Sequence, residues 1–464
     1  MRTVILLLIL FSLPIFIMGE LIDFVPADYD FFLLFKEGSL YYPMIKSIPF
    51  FNFLLGEEGL GLEYVAKSLL ENVSYNTRVS QDLLYEVLGR DVLFAARGMI
   101  FEIQSLFSLD LNYYVEALRN IGTNSILVFE TDKPEQFIKF IAGITNLKLS
   151  YNEQTWILQD TDVAIFSRYH RGYLVFSGSK IALEKAIDTY DRPESQMRNH
   201  PAVQRLLNQP TWICGFFKGN SFGIDFPGIN SNSYDTDYFT VLGLPNGESL
   251  QIIVRQYLNE SDDLDKYLSN SSNMRNMPLI GDLAFSATAS GPSDIAHEIS
   301  LWFQGVEEEI KKIYDVVSYI LNLSEGRVYL TSDLSGEQIR FAAIFDLTEK
   351  FDNSILVKYG ARNFGEEYRL PILNGFVSFF EQGRNLIMTN MSKDEYDRIS
   401  SRKRLRDDAA YQYLSKELPE KDIMRIYVDL GKIVESLLGM KARGRVMICE
   451  YLENGILIYK VEVM

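Results

Sequence analysis

At 464 residues, 47% of them hydrophobic, the chain is long enough for two domains of about 200 residues each and too apolar to be disordered over most of its length. A formal net charge of −17 argues against nucleic acid as a partner, because neutralising phosphates takes clustered Lys and Arg. Two cysteines, Cys214 and Cys449, are too few for a disulfide scaffold, and each sits in an apolar strand-like run that points to a buried free thiol, the alternative being a bridge between them if the two strands meet.

Residues 1–19 read as an export signal: Arg2 supplies positive charge, Val4 to Met18 is almost wholly apolar around Pro14, and Gly19 offers a small residue for cleavage before Glu20. The alternative is an uncleaved N-terminal membrane anchor, although about 15 apolar residues fall short of the ~20 that span a bilayer. The expected location is therefore periplasmic or extracellular.

Beyond the signal, Phe31 to Phe35 opens a series of short apolar or alternating runs that reads as strands: Val92 to Ala96, Ile126 to Glu130, Thr155 to Leu158, Val163 to Phe166, Tyr173 to Ser177, Trp212 to Phe217, Phe239 to Leu242 and Leu250 to Tyr257. Tight turns such as His170-Arg171-Gly172 require antiparallel pairing. Between strands, Asp132 before Pro134 predicts a capped helix over Glu135 to Ile144. Ser179 predicts another, with Ile181, Leu183, Ala186 and Ile187 facing inward. The densest apolar stretch is Tyr41 to Leu55, around Pro43 and Pro49. Burial against the sheet is its first reading. The other is a candidate apolar ligand or partner surface made by Tyr42, Met44, Ile48, Phe50, Phe51 and Phe53, joined by Phe101 and Phe107 from the apolar insert Met99 to Leu118.

Reactive signatures are weak. Gly219-Asn220-Ser221-Phe222-Gly223 fits the nucleophile-elbow pattern, but Ile224-Asp225-Phe226-Pro227-Gly228 cannot supply the helix that must follow, and only His297 lies downstream as a base. His170, His200 and His297 are scattered without zinc-site spacing; His170 reads as a turn residue and His200 as a helix start. Asn230, Asn232, Asp235 and Asp237 form an oxygen-rich loop without EF-hand spacing, read as polar surface. The basic run Arg402-Lys403-Arg404 with Arg406 is followed at once by Asp407-Asp408 and reads as a solvated turn or helix face. No catalytic residue, metal site or cofactor is expected.

The chain also reads as written twice. Val25-Pro26 before Phe31 to Phe35 matches Met277-Pro278 before Leu283 to Ala287, Ile126 to Glu130 matches Ala342 to Asp346, Tyr173 to Phe176 matches Asn385 to Met388, His200 to Val203 matches Asp408 to Tyr411, and the turn at Asn246-Gly247 matches Asn454-Gly455. The separation never rises along this series, as when a second copy has lost loop residues, the largest loss lying beside Met99 to Asn124. The expected fold is α+β: two tandem related domains, each a mainly antiparallel sheet with helices packed on one face. The first spans residues 20–258 and the second, shorter, 277–464, joined by the Ser-, Asn- and Asp-rich segment 259–276.

Val25-Pro26-Ala27-Asp28, Leu88-Gly89-Arg90-Asp91-Val92-Leu93-Phe94-Ala95, Val128-Phe129-Glu130-Thr131-Asp132-Lys133-Pro134 and Gly172-Tyr173-Leu174-Val175-Phe176-Ser177 together resemble a family of exported bacterial proteins known only as a domain of unknown function. The likeness covers mainly the first half; it implies export and fold and carries over no catalytic residue. The expected function is a non-enzymatic binding or structural protein of the bacterial cell envelope, its partner an envelope protein or an apolar ligand, with at most peripheral membrane contact. The alternatives are a carrier of an apolar ligand or lipid, and a serine hydrolase using Ser221.

Overall fold

The structure, a computed structural model, describes residues 20–464 except 81, 99–100, 103–121, 123, 162, 224, 227–228, 231–234, 260–268, 271, 289–307, 337 and 373–374. The expected signal, most of Met99 to Leu118 including Phe107, and His297 lie outside the described residues. The protein mixes helix and strand around a large antiparallel sheet. The chain divides into two compact units, Met1–Tyr42 with Ala66–Ile224 and Tyr238–Thr240, and Pro43–Val65 with Asp225–Asp237 and Val241–Met464.

In the first unit the strands are β1 (Phe31–Phe35), β2 (Val92–Ala96), β3 (Ser125–Glu130), β4 (Lys148–Asn152), β5 (Thr155–Gln159), β6 (Ala164–His170), β7 (Tyr173–Ser177) and β8 (Ile213–Lys218). They pair antiparallel in the order β8-β1-β2-β3-β7-β6-β5-β4. Turn chemistry fixes the register at β6 and β7: Arg171 and Gly172 both take positive φ, 49° and 95°, which suits a two-residue hairpin and sets His170 opposite Tyr173. β9 (Thr236–Asn246) and β10 (Ser249–Leu258) follow.

The second unit's strands are β11 (Leu283–Thr288), β12 (Ser324–Asp333), β13 (Arg340–Leu347), β14 (Arg362–Asn363), β15 (Tyr368–Ile372), β16 (Gly375–Gln382), β17 (Asn385–Thr389), β18 (Met424–Val428), β19 (Val446–Glu453) and β20 (Ile456–Val463). Their order is β10-β20-β19-β18-β11-β12-β13-β17-β16-β15-β14, again antiparallel throughout. From β8 to β4 and from β18 to β14, therefore, the same succession of pairings occurs. Registers agree as well: Phe31 faces Ala96 and Phe217 as Leu283 faces Ser332 and Val428, and Ile126 faces Ser177 as Ala342 faces Thr389.

Helices pack on both faces of the sheet, correcting the expectation of one. In the first unit α3 (Leu62–Thr77), α4 (Asp82–Leu88) and α5 (Pro134–Thr145) share a core with Phe129, Leu174 and Phe176. α6 (Lys180–Tyr190) lies on the opposite side, where Tyr190 and Phe24 meet the ring of Tyr173. In the second unit α8 (Glu308–Leu323) and α9 (Ser354–Lys358) cover Ala343, Phe345 and Leu386, while α10 (Lys393–Ser400) and α11 (Ala409–Leu414) cover the alternate residues Ala342, Ile344 and Ile387. Neighbouring strand residues point to opposite faces, so runs such as Tyr173-Leu174-Val175-Phe176, buried throughout, need cover on both.

Two local expectations also change. Ile181, read as inward, is 79% exposed; Ala182 takes the buried position beside Leu183, Ala186 and Ile187. The N-cap of α5 is Lys133, not Asp132, and it makes no side-chain cap; Thr131 Oγ1 accepts its amide at 3.2 Å. α7 (Pro201–Leu207) begins as read, with His200 Nδ1 accepting the amide of Ala202 at 3.2 Å. Within the Asn259 to Asn276 segment, the helical turn Ser272–Arg275 sends Met274 into the second unit's core.

Candidate functional site

Ser221 closes the 3-10 turn Gly219–Ser221 and is followed by the strand Phe222–Gly223, so no nucleophile elbow forms; its Oγ donates to the Asp30 carbonyl at 3.3 Å. His170 ends β6 beside Asp191 at 3.5 Å. In the oxygen-rich loop Asn232 lies outside the described residues, Asp237 is exposed, and Asp235 is exposed and accepts the Asn259 amide at 3.0 Å. Among the described residues no cluster of three or more His, Cys, Asp or Glu is placed to hold a metal.

Cys214 and Cys449 are both free and buried, and burial pushes each thiol up to about 12. Beside Cys449 the Arg425 guanidinium pairs with Asp422 and donates to the Pro419 carbonyl at 2.9 Å. Asp408, caught between Lys403 at 2.6 Å, the Tyr427 hydroxyl at 2.8 Å and the Tyr411 amide, closes a second polar knot, and Arg404 donates to the Asn276 carbonyl. Burial works against the Asp408 carboxylate, yet Lys403 and these donors hold its pKa below the ordinary value. The basic run is thus a turn tied down by its neighbours. A polar cleft of about 270 Å³, lined by Asn276, Gln382, Asn385, Tyr396, Asp397 and Arg404, adjoins that turn. It falls just below the ~300 Å³ at which small-molecule sites usually begin.

The segment Tyr41 to Leu55 forms two short helices, α1 (Gly38–Ser47) and α2 (Pro49–Leu55). Of the residues read as a ligand or partner surface, Tyr42 and Met44 are exposed, Phe50 and Phe51 half-buried, and Ile48 and Phe53 belong to the core. Phe101 lies in a two-residue strand paired in parallel with Phe222–Gly223.

Among the described residues, an amphipathic helix with exposed leucines comes from an element outside the strand runs and motifs of the sequence, α12 (Leu430–Leu438) between β18 and β19. Leu430, Ile433, Val434, Leu437 and Leu438 recur at i, i+3, i+4, i+7 and i+8, a helical stripe that ordinarily predicts burial. Here none of the five is buried: Leu437 is 76% and Leu438 54% exposed. Both ends are well made. The Asp429 carboxylate accepts the Lys432 amide at 3.0 Å and pairs with Arg445 at 2.5 Å, while Gly439 closes the helix in the left-handed region at φ 68°. Burial pushes the Asp429 carboxyl up, against the pull of that amide and of Arg445.

α12 is seated along one edge. The Gly431 amide donates to the Gly444 carbonyl at 3.0 Å, and a Cβ at Gly431 would stand only 2.6 Å from the Ala442 carbonyl oxygen. Gly444 in turn lies against Phe50, whose Cδ2 would be 2.6 Å from a Cβ placed there, so α2 and the loop after α12 adjoin within the second unit. In the first unit the corresponding connection, after β8, holds instead the Gly219–Ser221 turn and the segment leading to the oxygen-rich loop.

No protein-family model and no curated protein matches the chain. Two solved structures, crystal forms III and I of TP0453, are similar at TM-scores of 0.33 and 0.28, with 10% and 8% identity. They cover 56% and 53% of this chain and 88% and 81% of their own. A likeness that loose carries no argument about this chain.

Proposed function

We propose that this is an exported, non-enzymatic protein of the bacterial cell envelope that acts by binding, through a helical apolar surface carried on two tandem related sheet-and-helix units, residues 20–258 and 277–464. The tandem reading is supported by hydrogen bonds that recur at matching positions. Met197 donates its amide to Val25 and Leu405 to Met277; Ala27 donates to Ser195 and Leu279 to Lys403; Lys218 donates to Asp30 and Asp429 to Asp282. Isolated bridges join Pro26 to Gln196 and Pro278 to Arg404. The Ser177 hydroxyl donates to the Ser125 carbonyl as Thr389 does to Phe341.

The observation that carries the binding reading is the incompletely covered stripe of α12, half-buried at Leu430, Ile433 and Val434 and exposed at Leu437 and Leu438, placed at a connection where the two halves differ. An exposed leucine forgoes the roughly 1.5–3 kcal/mol that its full burial would contribute, so two adjacent leucines left open at the end of an ordered stripe mark a surface that finds cover elsewhere. The test is retention of envelope components by the immobilised protein and by its Leu437→Ser/Leu438→Ser variant. A component held by the parent and lost from the variant supports the reading; equal retention, or none by either, overturns it.

A further inference from the structure

Resting on that reading, we propose that the cover for α12 is an anionic lipid bilayer, on which the helix lies parallel to the surface with α2 beside it. The argument is charge. The chain as a whole carries −17, and an overall negative field repels an anionic surface. Along α12 and the loop after it the sign reverses: residues 430–445 contain Lys432, Lys441, Arg443 and Arg445 against Glu435 alone. Arg445 is taken by Asp429, while Lys432, Lys441 and Arg443 are exposed.

An apolar stripe of leucine, isoleucine and valine flanked by exposed Lys and Arg is the composition of a helix that lies in a membrane interface, its apolar side about 5–10 Å into the headgroup boundary and its cations among acidic headgroups. Nine residues give a helix of about 14 Å, under half of the ~30 Å hydrocarbon thickness, so α12 lies on a bilayer and cannot span one. No helix among the described residues is long and apolar enough to cross. The contact of Phe50 with Gly444 brings α2 beside the loop that carries Lys441 and Arg443.

The test is flotation of the protein, purified from its own cells, with vesicles of phosphatidylcholine alone and of phosphatidylcholine with 30 mol% phosphatidylglycerol, at low and at high salt. The expected result is binding to the anionic vesicles that weakens as salt rises. Leu437→Ser/Leu438→Ser should weaken it at least tenfold, and Lys432→Glu/Lys441→Glu/Arg443→Glu should abolish the preference for phosphatidylglycerol. All five substituted side chains are exposed, so an unchanged thermal melt shows that each variant still folds. Equal binding to both vesicle types, or anionic binding that neither variant alters, overturns the proposal. If no vesicle is bound while an envelope protein is still retained in a Leu437- and Leu438-dependent way, the lipid proposal fails and the binding reading stands; loss of both removes both.

Discussion

Arg425 and Asp422 form an ion pair 2.6 Å apart with side chains only 1% and 2% exposed, set on β18 and just before it. Charges so buried survive only when matched, since removing one partner strands the other away from water. Asp422→Ala is therefore expected to cost about 3–5 kcal/mol, whereas Asp422→Leu/Arg425→Met, which removes both charges, restores most of it. Urea unfolding of the two variants checks this; equal losses would mean the guanidinium finds other partners.

The thiols give a pH dependence. Cys214 and Cys449 titrate near 9 when unfolded and at about 12 in the fold. A folded pKa raised above the unfolded one means that the fold favours the protonated form. This contribution is whole below pH 9 and is lost as pH rises from 9 towards 12. The urea midpoint should accordingly stay flat from pH 7 to 8.5 and fall above 9. At pH 8 both thiols are held protonated in the fold, so alkylation of native protein should be slow and become fast in denaturant.

Asp282 and Asp30 provide a comparison between matching positions. Asp282 is buried and accepts the amides of Leu334 at 2.9 Å and Ser335 at 2.8 Å. Asp30, half-buried, accepts that of Gly98 at 2.5 Å. A hydrogen bond to a charged group contributes about 1.5–3 kcal/mol, less where water reaches the site; the buried Asp282 accepts two such bonds, the half-buried Asp30 one. Asp282→Ala should lower stability by about 2–5 kcal/mol and Asp30→Ala by about 1, measured as differences in denaturation midpoint.

Much of the architecture is written locally. Phe31–Phe35, Val92–Ala96 and Tyr173–Ser177 begin and end where their apolar runs do, because Gly, Asp and Arg turns bound them on both sides. The two-sided cover of the sheet was legible in the same runs, which alternate nowhere, but the helical spacing of α5 and α6 says nothing about which face each chooses. Ile181 shows the limit at a helix start: Ala182 and Leu183 in the same turn are buried, and spacing alone does not say at which residue the buried stripe begins. α12 is the inverse case: its periodicity is plain from Leu430 to Leu438, yet a stripe reports only which side is apolar, not whether the fold covers it. Tyr41 to Leu55 divides similarly, Ile48 and Phe53 inward and Met44 outward, within a composition that is apolar almost throughout.

Gly431 decides how α12 is held. Its backbone is ordinary helix, so alanine would gain about 1 kcal/mol in helix propensity. The added methyl would stand 2.6 Å from the Ala442 carbonyl and 3.1 Å from Arg445 Nη1. That loop cannot retreat easily, because Arg445 and Met464 exchange backbone hydrogen bonds at 3.0 and 2.8 Å. The helix must move instead, stretching the Gly431 to Gly444 bond and the Asp429 to Arg445 pair. Overpacking of this kind costs about 1–3 kcal/mol, more than the propensity gain, and all of it falls on the seat of one helix. Gly431→Ala should thus raise amide hydrogen exchange in residues 431–438 about tenfold while leaving β10 and β20 protected. Unchanged exchange in α12 would show that the Gly431 contact is not what holds the helix in place.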